Sequence, residues 1–237
     1  MIIVPDIHGR QFWRHIAQEY VSKEHIVFLG DYLDPYRDEG FTSDDAFTGL
    51  QDIVQLKKEY PDNITLLLGN HDLHYLCEEM AGSRYDDIHA ERNRNYIESN
   101  AECFQIAKIA HLDNKDVLFT HAGLLPGWIR RHPFIFGEMS PYAVILFMNT
   151  LWADSEARPA LLSALSDIPA ARWGLSPYGS PVWADLTEHD TTQEEIPGYY
   201  QVFGHTMLPT PLITPHFACL DCQTAFRIDE SGCIAIF

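Results

Sequence analysis

Five short polar clusters in the sequence carry side chains of the kinds that bind divalent metals. They are Asp6-Ile7-His8-Gly9, Gly30-Asp31-Tyr32-Leu33-Asp34, Gly69-Asn70-His71-Asp72, Thr120-His121-Ala122-Gly123 and Gly204-His205-Thr206. Carboxylate, amide-oxygen and imidazole donors occur together in this set, whereas a closed structural zinc site favours cysteines. The mixture therefore favours two adjacent divalent ions.

Each cluster begins where a predicted apolar strand ends. The five strands are Ile2–Val4, Ile26–Leu29, Ile64–Leu68, Val117–Thr120 and Tyr200–Phe203. A glycine beside each cluster lets the backbone turn sharply. Because open α/β sheets hold their sites at the carboxyl ends of strands, the clusters lie where such a site is expected.

The order of the clusters resembles that of the calcineurin-like metallophosphoesterases. That superfamily shows D-x-H, G-D-x-x-D, G-N-H-[D/E], H-[A/G]-G and G-H-x in this order, and the same series runs here from Asp6 to His205. Much of the superfamily ends in G-H-x-H, but Met207 occupies that last position. The chain is therefore similar to the phosphoprotein-phosphatase branch, with its small bacterial members and the diadenosine tetraphosphatases. Five ordered motifs are far more specific than any one alone.

The resemblance implies a set of ligands for two divalent ions. Asp6 and His8 would bind the first metal, Asp31 would bridge the pair, and Asn70, His121 and His205 would bind the second. The bridge would hold the ions about 3.5–4 Å apart, and the water between them would lose a proton near neutral pH. We expect manganese, and the donor set also accepts iron, zinc, magnesium, nickel or cobalt.

His71 and Asp34 receive the catalytic roles under the same resemblance. The bridging hydroxide would attack phosphorus in line, and His71, which binds no metal in this scheme, would protonate the leaving oxygen as general acid. Asp34 would orient His71 and favour its charged form. These roles imply hydrolysis of phosphomonoesters, including phosphorylated Ser, Thr or Tyr of proteins. Asp72 is predicted to be an N-cap or first-turn residue rather than a catalyst.

The arginine that binds substrate phosphate departs from the pattern of the branch. Relatives usually read G-D-x-x-D-R-G, whereas this chain has P-Y-R after Asp34. Arg37, two positions later in the same loop, is one candidate, and Arg172 is a second by loose resemblance. A leucine-tryptophan element of the branch has two candidate matches, Leu151-Trp152-Ala153-Asp154 and Val182-Trp183-Ala184-Asp185.

Two further functions stay open as alternatives. The same site would serve a nucleoside polyphosphate hydrolase or a phosphodiesterase, since diadenosine tetraphosphatases share the wording G-N-H-D-L-H. Those enzymes generally lack the aspartate matched by Asp34, which favours phosphomonoesters. A non-catalytic interaction module of the same fold is the other alternative, but such relatives tend to lose the histidine matched by His71. The spacing of Cys219 and Cys222 suits redox chemistry or zinc, yet no second pair accompanies it, and we predict a structural role.

The remaining segments supply the elements around the site. Helices are predicted over Phe12–Tyr20, Ser43–Tyr60, Asp86–Ala110 and Tyr142–Trp152, with Ser43 capping the second helix. Short runs that resemble antiparallel strands are Tyr200–Phe203, Leu212–Thr214, Phe217–Leu220, Ala225–Ile228 and Ile234–Phe237. This order predicts an α/β fold of two mixed sheets packed face to face with helices outside, the four-layer α-β-β-α sandwich of metallo-dependent phosphatases. Without repeats or linkers, residues 1–237 read as a single domain.

Composition limits the partners of the chain. Its 237 residues are 46% hydrophobic and 12% aromatic, so a packed core is expected. A formal net charge of −18 opposes binding to nucleic acid or anionic lipid, which leaves a phosphorylated substrate as the expected partner. No apolar run reaches the ~20 residues of a membrane span. The absence of a leader and the odd number of cysteines predict a cytoplasmic protein. The sequence carries no signal for an oligomeric state.

Overall fold

The computed structural model describes residues 1–113, 115–191 and 196–237, and the backbone alone at residues 190 and 191. The helices are α1 (Trp13–Tyr20), α2 (Ser43–Glu59), α3 (Asn70–Leu73), α4 (Ala90–Ser99), α5 (Pro126–Arg131), α6 (Pro133–Phe136), α7 (Pro141–Ala153), α8 (Arg158–Leu165) and α9 (Leu186–Thr191). The strands are β1 (Ile2–Val4), β2 (Ile26–Phe28), β3 (Ile64–Leu67), β4 (Phe104–Gln105), β5 (Lys108–His111), β6 (Asp116–Phe119), β7 (Tyr199–Phe203), β8 (Leu212–Ile213), β9 (Phe217–Cys219), β10 (Phe226–Ile228) and β11 (Ile234–Ile236). Within these ranges, every helix is too short or too polar to cross a bilayer.

The first sheet has the strand order β11-β10-β1-β2-β3-β4. Strands β1 to β4 run parallel, with Ile2 opposite Ile26 and Ile26 opposite Ile64, while β10 and β11 run antiparallel at one edge. The residues of β1, β2 and β3 are all buried, which explains why these strands are continuous runs of apolar residues with a single threonine.

The second sheet has the order β5-β6-β7-β9-β8. Strands β6, β7 and β9 are parallel neighbours, and β5 and β8 close the two edges in the antiparallel direction. Both sheets are therefore mixed.

Alternation along the strands divides the core into layers. In β1, Ile2 and Val4 pack on the side of α1 and α2, whereas Ile3 packs on the opposite side with Phe119 and Val202 of the second sheet. Successive strand side chains point to opposite faces, so one strand serves both layers. On the outer face of the second sheet, Leu186 of α9 joins the cluster built from β7 and β9. The predicted α/β fold of two mixed sheets with helices outside is confirmed.

Three local predictions were wrong. The helix expected over Asp86–Ala110 is only α4, because the chain after Asn100 enters the sheet and Phe104 pairs with Leu66 of β3. The second helix is capped by Thr42 rather than Ser43, since Thr42 has extended backbone and exchanges hydrogen bonds with Asp45 in a capping box. The later strands are not uniformly antiparallel, because β7 and β9 lie parallel to β6 and to each other.

Cys219 and Cys222 are both free thiols. Cys219 is buried at the end of β9, and its Sγ lies 3.4 Å from the carbonyl oxygen of Gly204. Burial raises the pKa of the Cys219 thiol to about 12, so it stays protonated and unreactive near neutral pH.

Candidate metal centre

The structure brings the six predicted ligands to one place, at the carboxyl ends of five strands. Asp6 and His8 follow β1, Asp31 follows β2, Asn70 follows β3, His121 follows β6 and His205 follows β7. All six side chains are buried or nearly so. Close approach of the loops depends on two glycines: a Cβ on Gly69 would lie 2.1 Å from Asp31 Oδ1, and a Cβ on Gly204 would lie 2.1 Å from Asp6 Oδ1.

Asp31 is shared by two groups of ligand atoms. One group is Asp6, His8 and Asp31, and the other is Asp31, His121 and His205, each with its donor atoms within 4.8 Å of one another. Asp31 Oδ2 lies 3.4 Å from His8 Nε2 and 3.4 Å from His121 Nε2. A single carboxylate oxygen therefore faces both halves of the site.

The second half of the site is built around His121. Its Nε2 lies 3.0 Å from Asn70 Oδ1 and 3.2 Å from His205 Nδ1. Donor atoms around a cation with bonds of about 2.1 Å lie about 3 Å apart along an octahedral edge, so these separations suit a divalent ion. The remaining nitrogen of His205, Nε2, is buried and has no hydrogen-bond partner in the described part of the chain.

Backbone groups orient the ligands from behind. His8 Nδ1 lies 2.8 Å from the carbonyl oxygen of Leu33, and His121 Nδ1 lies 2.9 Å from that of Leu29. Each carbonyl holds a proton on Nδ1 and leaves Nε2 free for a metal, which is the usual outer-shell arrangement of metal-binding histidines.

Asp72 ties the second and third loops together without reaching the donors. Its buried carboxylate accepts hydrogen bonds from the backbone N–H groups of Asp31, Tyr32 and Gly69 at 2.8–2.9 Å. Asp72 occupies the first turn of α3, as predicted, and its role is to hold the loops in register.

The electrostatics of the site favour a bound cation. Burial raises the pKa of Asp6, and burial together with nearby carboxylates raises the pKa of Asp72 and of Asp221 to about 8. Burial also opposes ionisation of Asp31, but His121 and the other imidazoles hold its pKa well below its usual value. Although burial disfavours charge on His121, Asp31 and Asp6 raise its pKa to about 10. Ionising these crowded, buried carboxyl groups together is costly, and divalent ions would offset that cost, so the donor set fits a metal pair.

Asp34 is the partner of two histidines and a tyrosine. Its Oδ2 lies 2.8 Å from His71 Nδ1 and 2.7 Å from His74 Nε2, and its Oδ1 accepts a hydrogen bond from the Tyr75 hydroxyl. Burial opposes ionisation of Asp34, but the hydrogen bonds from His71 and His74 lower its pKa. Although Asp34, His71 and His74 are close enough for an ion, these contacts account for both oxygens of the carboxylate. The contact with Asp34 gives His74 a structural partner.

Arg84 is a residue that the sequence motifs do not indicate. Its Nη2 lies 2.9 Å from His71 Nε2, and its Nη1 donates to the carbonyl oxygen of Asp34 at 2.6 Å. The guanidinium also lies over the Tyr36 ring, 3.7 Å from its centre. Because a guanidinium only donates, His71 Nε2 accepts here and Nδ1 carries the proton that points to Asp34. In the sequence, Arg84 is a lone arginine after Gly82 and Ser83, in a polar loop without periodicity, and nothing in that pattern indicates a functional role.

A cleft of about 460 Å³ opens over the candidate ligands His8, Asp31, Asn70 and His205 and over His71. Arg84 and Arg172 both line it. Arg172 Nη2 donates to Thr206 Oγ1 at 2.6 Å, and its Nε lies 2.8 Å from Asp185 Oδ2. Arg37 is exposed on the turn Arg37–Glu39 and is not among the residues that line this cleft.

Of the two leucine-tryptophan matches, Val182-Trp183-Ala184-Asp185 is the one at the site. The Trp183 ring lines the cleft and meets the His205 ring edge-on, with centroids 5.8 Å apart. Trp152 is buried in α7, where its indole N–H donates to the carbonyl oxygen of Ala101.

Unusual backbone conformations concentrate around the same cleft. Positive φ angles occur in the described non-glycine residues His8, Asp31, Asp34, Arg84, Trp173, His205 and Gln223. All but Asp34 and Gln223 line the cleft, and Asp34 bonds to His71. Such conformations cost about 1–3 kcal/mol each and cluster at functional sites. Trp173 shares this backbone conformation with the candidate ligands His8, Asp31 and His205, and it is therefore a further candidate functional residue.

Comparison with known proteins defines the class. A sequence model of the calcineurin-like phosphoesterase family matches residues 1–209, and the chain belongs to this family. The resemblance seen in the motifs is thereby confirmed. Members of the family depend on divalent metals and hydrolyse phosphoester bonds, which makes this chain a hydrolase of that class.

The curated relatives include protein phosphatases of eukaryotes. Serine/threonine-protein phosphatase ppe1 of Schizosaccharomyces pombe is 26% identical over 95% of this chain and 74% of its own length. The catalytic subunit of serine/threonine-protein phosphatase 6 of Drosophila melanogaster is 29% identical over 80% of this chain but only 56% of its own length. The chain thus spans between about half and three quarters of these two relatives.

Among solved structures, the cold-active protein-tyrosine phosphatase of a psychrophilic Shewanella species has a similar fold. The match has a TM-score of 0.50 and 17% sequence identity, and it covers 99% of this chain and 79% of that protein. At this identity the likeness shows the fold alone.

Proposed function

We propose that the chain is a dinuclear-metal phosphatase that hydrolyses phosphomonoesters, including phosphorylated side chains of proteins, with His71 as general acid. The observation that carries this proposal is the position of Asp31 Oδ2, 3.4 Å from one imidazole in each half of the site. A carboxylate in this position is suited to bridge two ions.

Asp6, His8 and Asp31 would hold one ion, and Asp31, Asn70, His121 and His205 would hold the other. Two divalent ions, when bound, supply an activated water and neutralise charge on the phosphoryl oxygens. Manganese is favoured, with iron, zinc, magnesium, nickel and cobalt as further candidates.

His71 is suited to give a proton to the leaving oxygen. Its Nδ1 lies 2.8 Å from Asp34 Oδ2. Its Nε2 points toward the cleft and lies 2.9 Å from Nη2 of Arg84. Donation from Nε2 requires that Arg84 leave this nitrogen. A phosphate dianion is a better acceptor for a guanidinium than a neutral imidazole, so an incoming substrate draws Arg84 away and frees His71 to take up a proton.

Arg84 and Arg172 are the guanidinium groups best placed to bind substrate phosphate. Both line the cleft. Arg84 is held by the Asp34 carbonyl and the Tyr36 ring, and its contact with His71 Nε2 is the one that a phosphate can replace. Arg172 is tied by Thr206 and Asp185, which gives it a fixed direction. Arg37 stays a sequence prediction for this role, with an exposed position outside the cleft lining.

Elemental analysis and activity together test the proposal. Protein purified without chelators and supplied with Mn²⁺ is expected to bind two metal equivalents and to hydrolyse nitrophenyl phosphate. Asp31→Asn is expected to lose metal and activity. His111→Gln, which alters an exposed histidine paired with Asp116 outside the cleft, is the matched control and is expected to keep both. A wild-type protein that binds at most one ion, or that is inert while a known phosphatase works in the same assay, contradicts the proposal.

Hydrolysis of nucleoside polyphosphates is the second candidate, and the two cleft arginines favour it. Two guanidinium groups in one cleft can bind more than one phosphate group. Rates of phosphate release from diadenosine tetraphosphate and from phosphopeptides, measured side by side on the metal-loaded protein, would rank the two functions. The bond between Asp34 and His71 supports the first.

A further inference from the structure

Trp173 is exposed at the wall of the metal-site cleft. Its side chain lines the cleft together with Arg172 and Ile168, yet 93% of the residue is open to solvent. A tryptophan carries one of the largest apolar surfaces of any side chain, and its burial against a ligand is correspondingly favourable. Its backbone is also strained, with φ of +64°, a conformation that bulky residues rarely adopt.

The segment that presents Trp173 is held firmly. The N–H groups of Arg172 and Gly174 both donate to the carbonyl oxygen of Pro169, at 2.9 and 3.0 Å, and Ser176 N–H donates to that of Ile168 at 3.0 Å. Gly174 packs so tightly that a Cβ there would lie 2.0 Å from the Ile168 carbonyl oxygen. The ring is therefore exposed on a fixed support, and the backbone that carries it does not need to be ordered when a ligand binds.

The other aromatic rings of the cleft already have partners. Tyr36 is covered by the guanidinium of Arg84, and Trp183 packs edge-on against His205 and is only 9% exposed. Among the described residues that line the cleft, Trp173 is the aromatic ring for which the structure gives no ring or cation contact. Arg172, its neighbour in sequence, lines the same cleft, with its guanidinium held by Thr206 and Asp185.

We infer that Trp173 is a specificity-determining residue that packs against the aromatic ring of an aryl phosphate, such as the side chain of phosphotyrosine, and so favours aryl over alkyl phosphomonoesters. The inference rests on the proposed function for the position of the phosphate, between the candidate metal ligands and Arg172. Because Trp173 lines the same cleft as the candidate ligands and Arg172, a ring bonded to that phosphate can reach its exposed side chain. An alkyl phosphate such as phosphoserine has no ring to make this contact.

Kinetics of matched substrates test the role of Trp173. Trp173→Ala is expected to raise KM for phosphotyrosine about three- to tenfold, the range expected for one aromatic contact, with kcat little changed. KM for phosphoserine is expected to stay within twofold. Trp173→Phe keeps a ring and is expected to recover most of the loss. Leu175→Ala is the control, because Leu175 is fully exposed on the same segment but does not line the cleft.

Binding of inert phosphonates separates this inference from the proposed function. Calorimetry on the Mn²⁺-loaded protein is expected to show that Trp173→Ala weakens phenylphosphonate three- to tenfold and leaves methylphosphonate unchanged. If the wild type hydrolyses neither ester but shows this difference in binding, the proposed function fails and the role of Trp173 stands. Equal effects on both phosphonates, or no effect on phenylphosphonate, overturn the inference even if hydrolysis is observed.

Discussion

Oδ2 of Asp34 lies 2.8 Å from Nδ1 of His71 and fixes which nitrogen of the imidazole is directed at the cleft. The same oxygen lies 2.7 Å from His74, while Oδ1 accepts from Tyr75. A carboxylate with this many partners cannot rotate freely, so the direction of His71 is set by buried groups. The consequence is that Nε2 of His71, and not Nδ1, faces the cleft, where it contacts Arg84.

The first prediction concerns the leaving group. His71→Asn is expected to lower kcat by about 10²–10⁴ for alkyl phosphates, because a poor leaving group needs a proton as the ester bond breaks. The loss should be much smaller for nitrophenyl phosphate, whose leaving group is a weak base. Steady-state kinetics over a series of esters with increasing leaving-group pKa measures how the loss in kcat grows with that pKa.

Asp34→Asn should also lower kcat more for esters with a higher leaving-group pKa, but by a smaller factor than His71→Asn. Its metal content should be unchanged, because the substitution disturbs His71 and none of the candidate metal ligands. Tyr75→Phe is the control, since it removes only one hydrogen bond from Asp34. A loss of equal size for every ester would exclude His71 as the proton donor.

The second prediction ranks the arginines. Arg84→Ala is expected to raise KM and to lower kcat/KM by about 10- to 100-fold, since a charge-assisted bond to phosphate is worth ~1.5–3 kcal/mol. Arg172→Ala should also raise KM and lower kcat/KM. Arg37→Ala should leave the kinetics unchanged, because Arg37 is exposed outside the cleft. Metal content, measured for each variant, must stay constant for this reading to hold.

The ranking would be reversed if Arg37 bound phosphate, as the position of the arginine in related motifs suggests. A fall in kcat/KM for Arg37→Ala alone would show that the loop after Asp34 moves in solution to bring Arg37 over the metals.

The ligand loops could be predicted from sequence because each is a local event. An apolar run that stops at a glycine and a carboxylate is visible within a few residues, as at Leu29-Gly30-Asp31, and the parallel sheet then places the loop ends together. Arg84 and Trp173 could not be predicted in the same way. Their positions depend on where two irregular segments lie against the sheet, and no periodic pattern encodes that.

The same distinction explains the errors in secondary structure. The polar and apolar residues of Asp86–Ala110 fit a helix locally, but strand pairing of Phe104 with Leu66 overrides local preference. By contrast, Thr42 and Asp45 carry a local capping-box signal, and the N-cap lies there rather than one residue later.

The third prediction uses glycines as probes of the site. Gly69→Ala should abolish metal binding, because the new Cβ would lie 2.1 Å from Asp31 Oδ1 and 2.7 Å from a carbon of the His121 ring. Gly49→Ala is the control in α2, where the nearest atom to a new Cβ is 3.9 Å away. That change should stabilise the protein by about 0.5–1 kcal/mol, since alanine is the better helix residue. Metal analysis and urea unfolding measure the two effects, and metal retention in Gly69→Ala would contradict the geometry.

The fourth prediction is a pH dependence that arises outside the metal site. Asp167 Oδ2 lies 2.8 Å from His132 Nε2 and 3.7 Å from Arg131 Nε. Burial opposes ionisation of Asp167, but the hydrogen bond from His132 and the positive neighbours lower its pKa below 3.8. Because the folded-state pKa lies below the unfolded value, the ionised carboxylate stabilises the fold above pH 3.8, and this contribution is lost as pH falls through the folded-state pKa.

Asp167→Asn should therefore lower the free energy of unfolding of the metal-free protein by about 1 kcal/mol near pH 6. The difference from wild type should shrink toward zero as the pH falls through the folded-state pKa of Asp167, because the carboxylate is then protonated. Urea unfolding of both proteins across this range measures the difference. Asp116→Asn is the control, because its ion pair with His111 is exposed and such pairs contribute little. A difference that stays constant with pH would mean that Asp167 acts through packing or neutral hydrogen bonds and not through its charge.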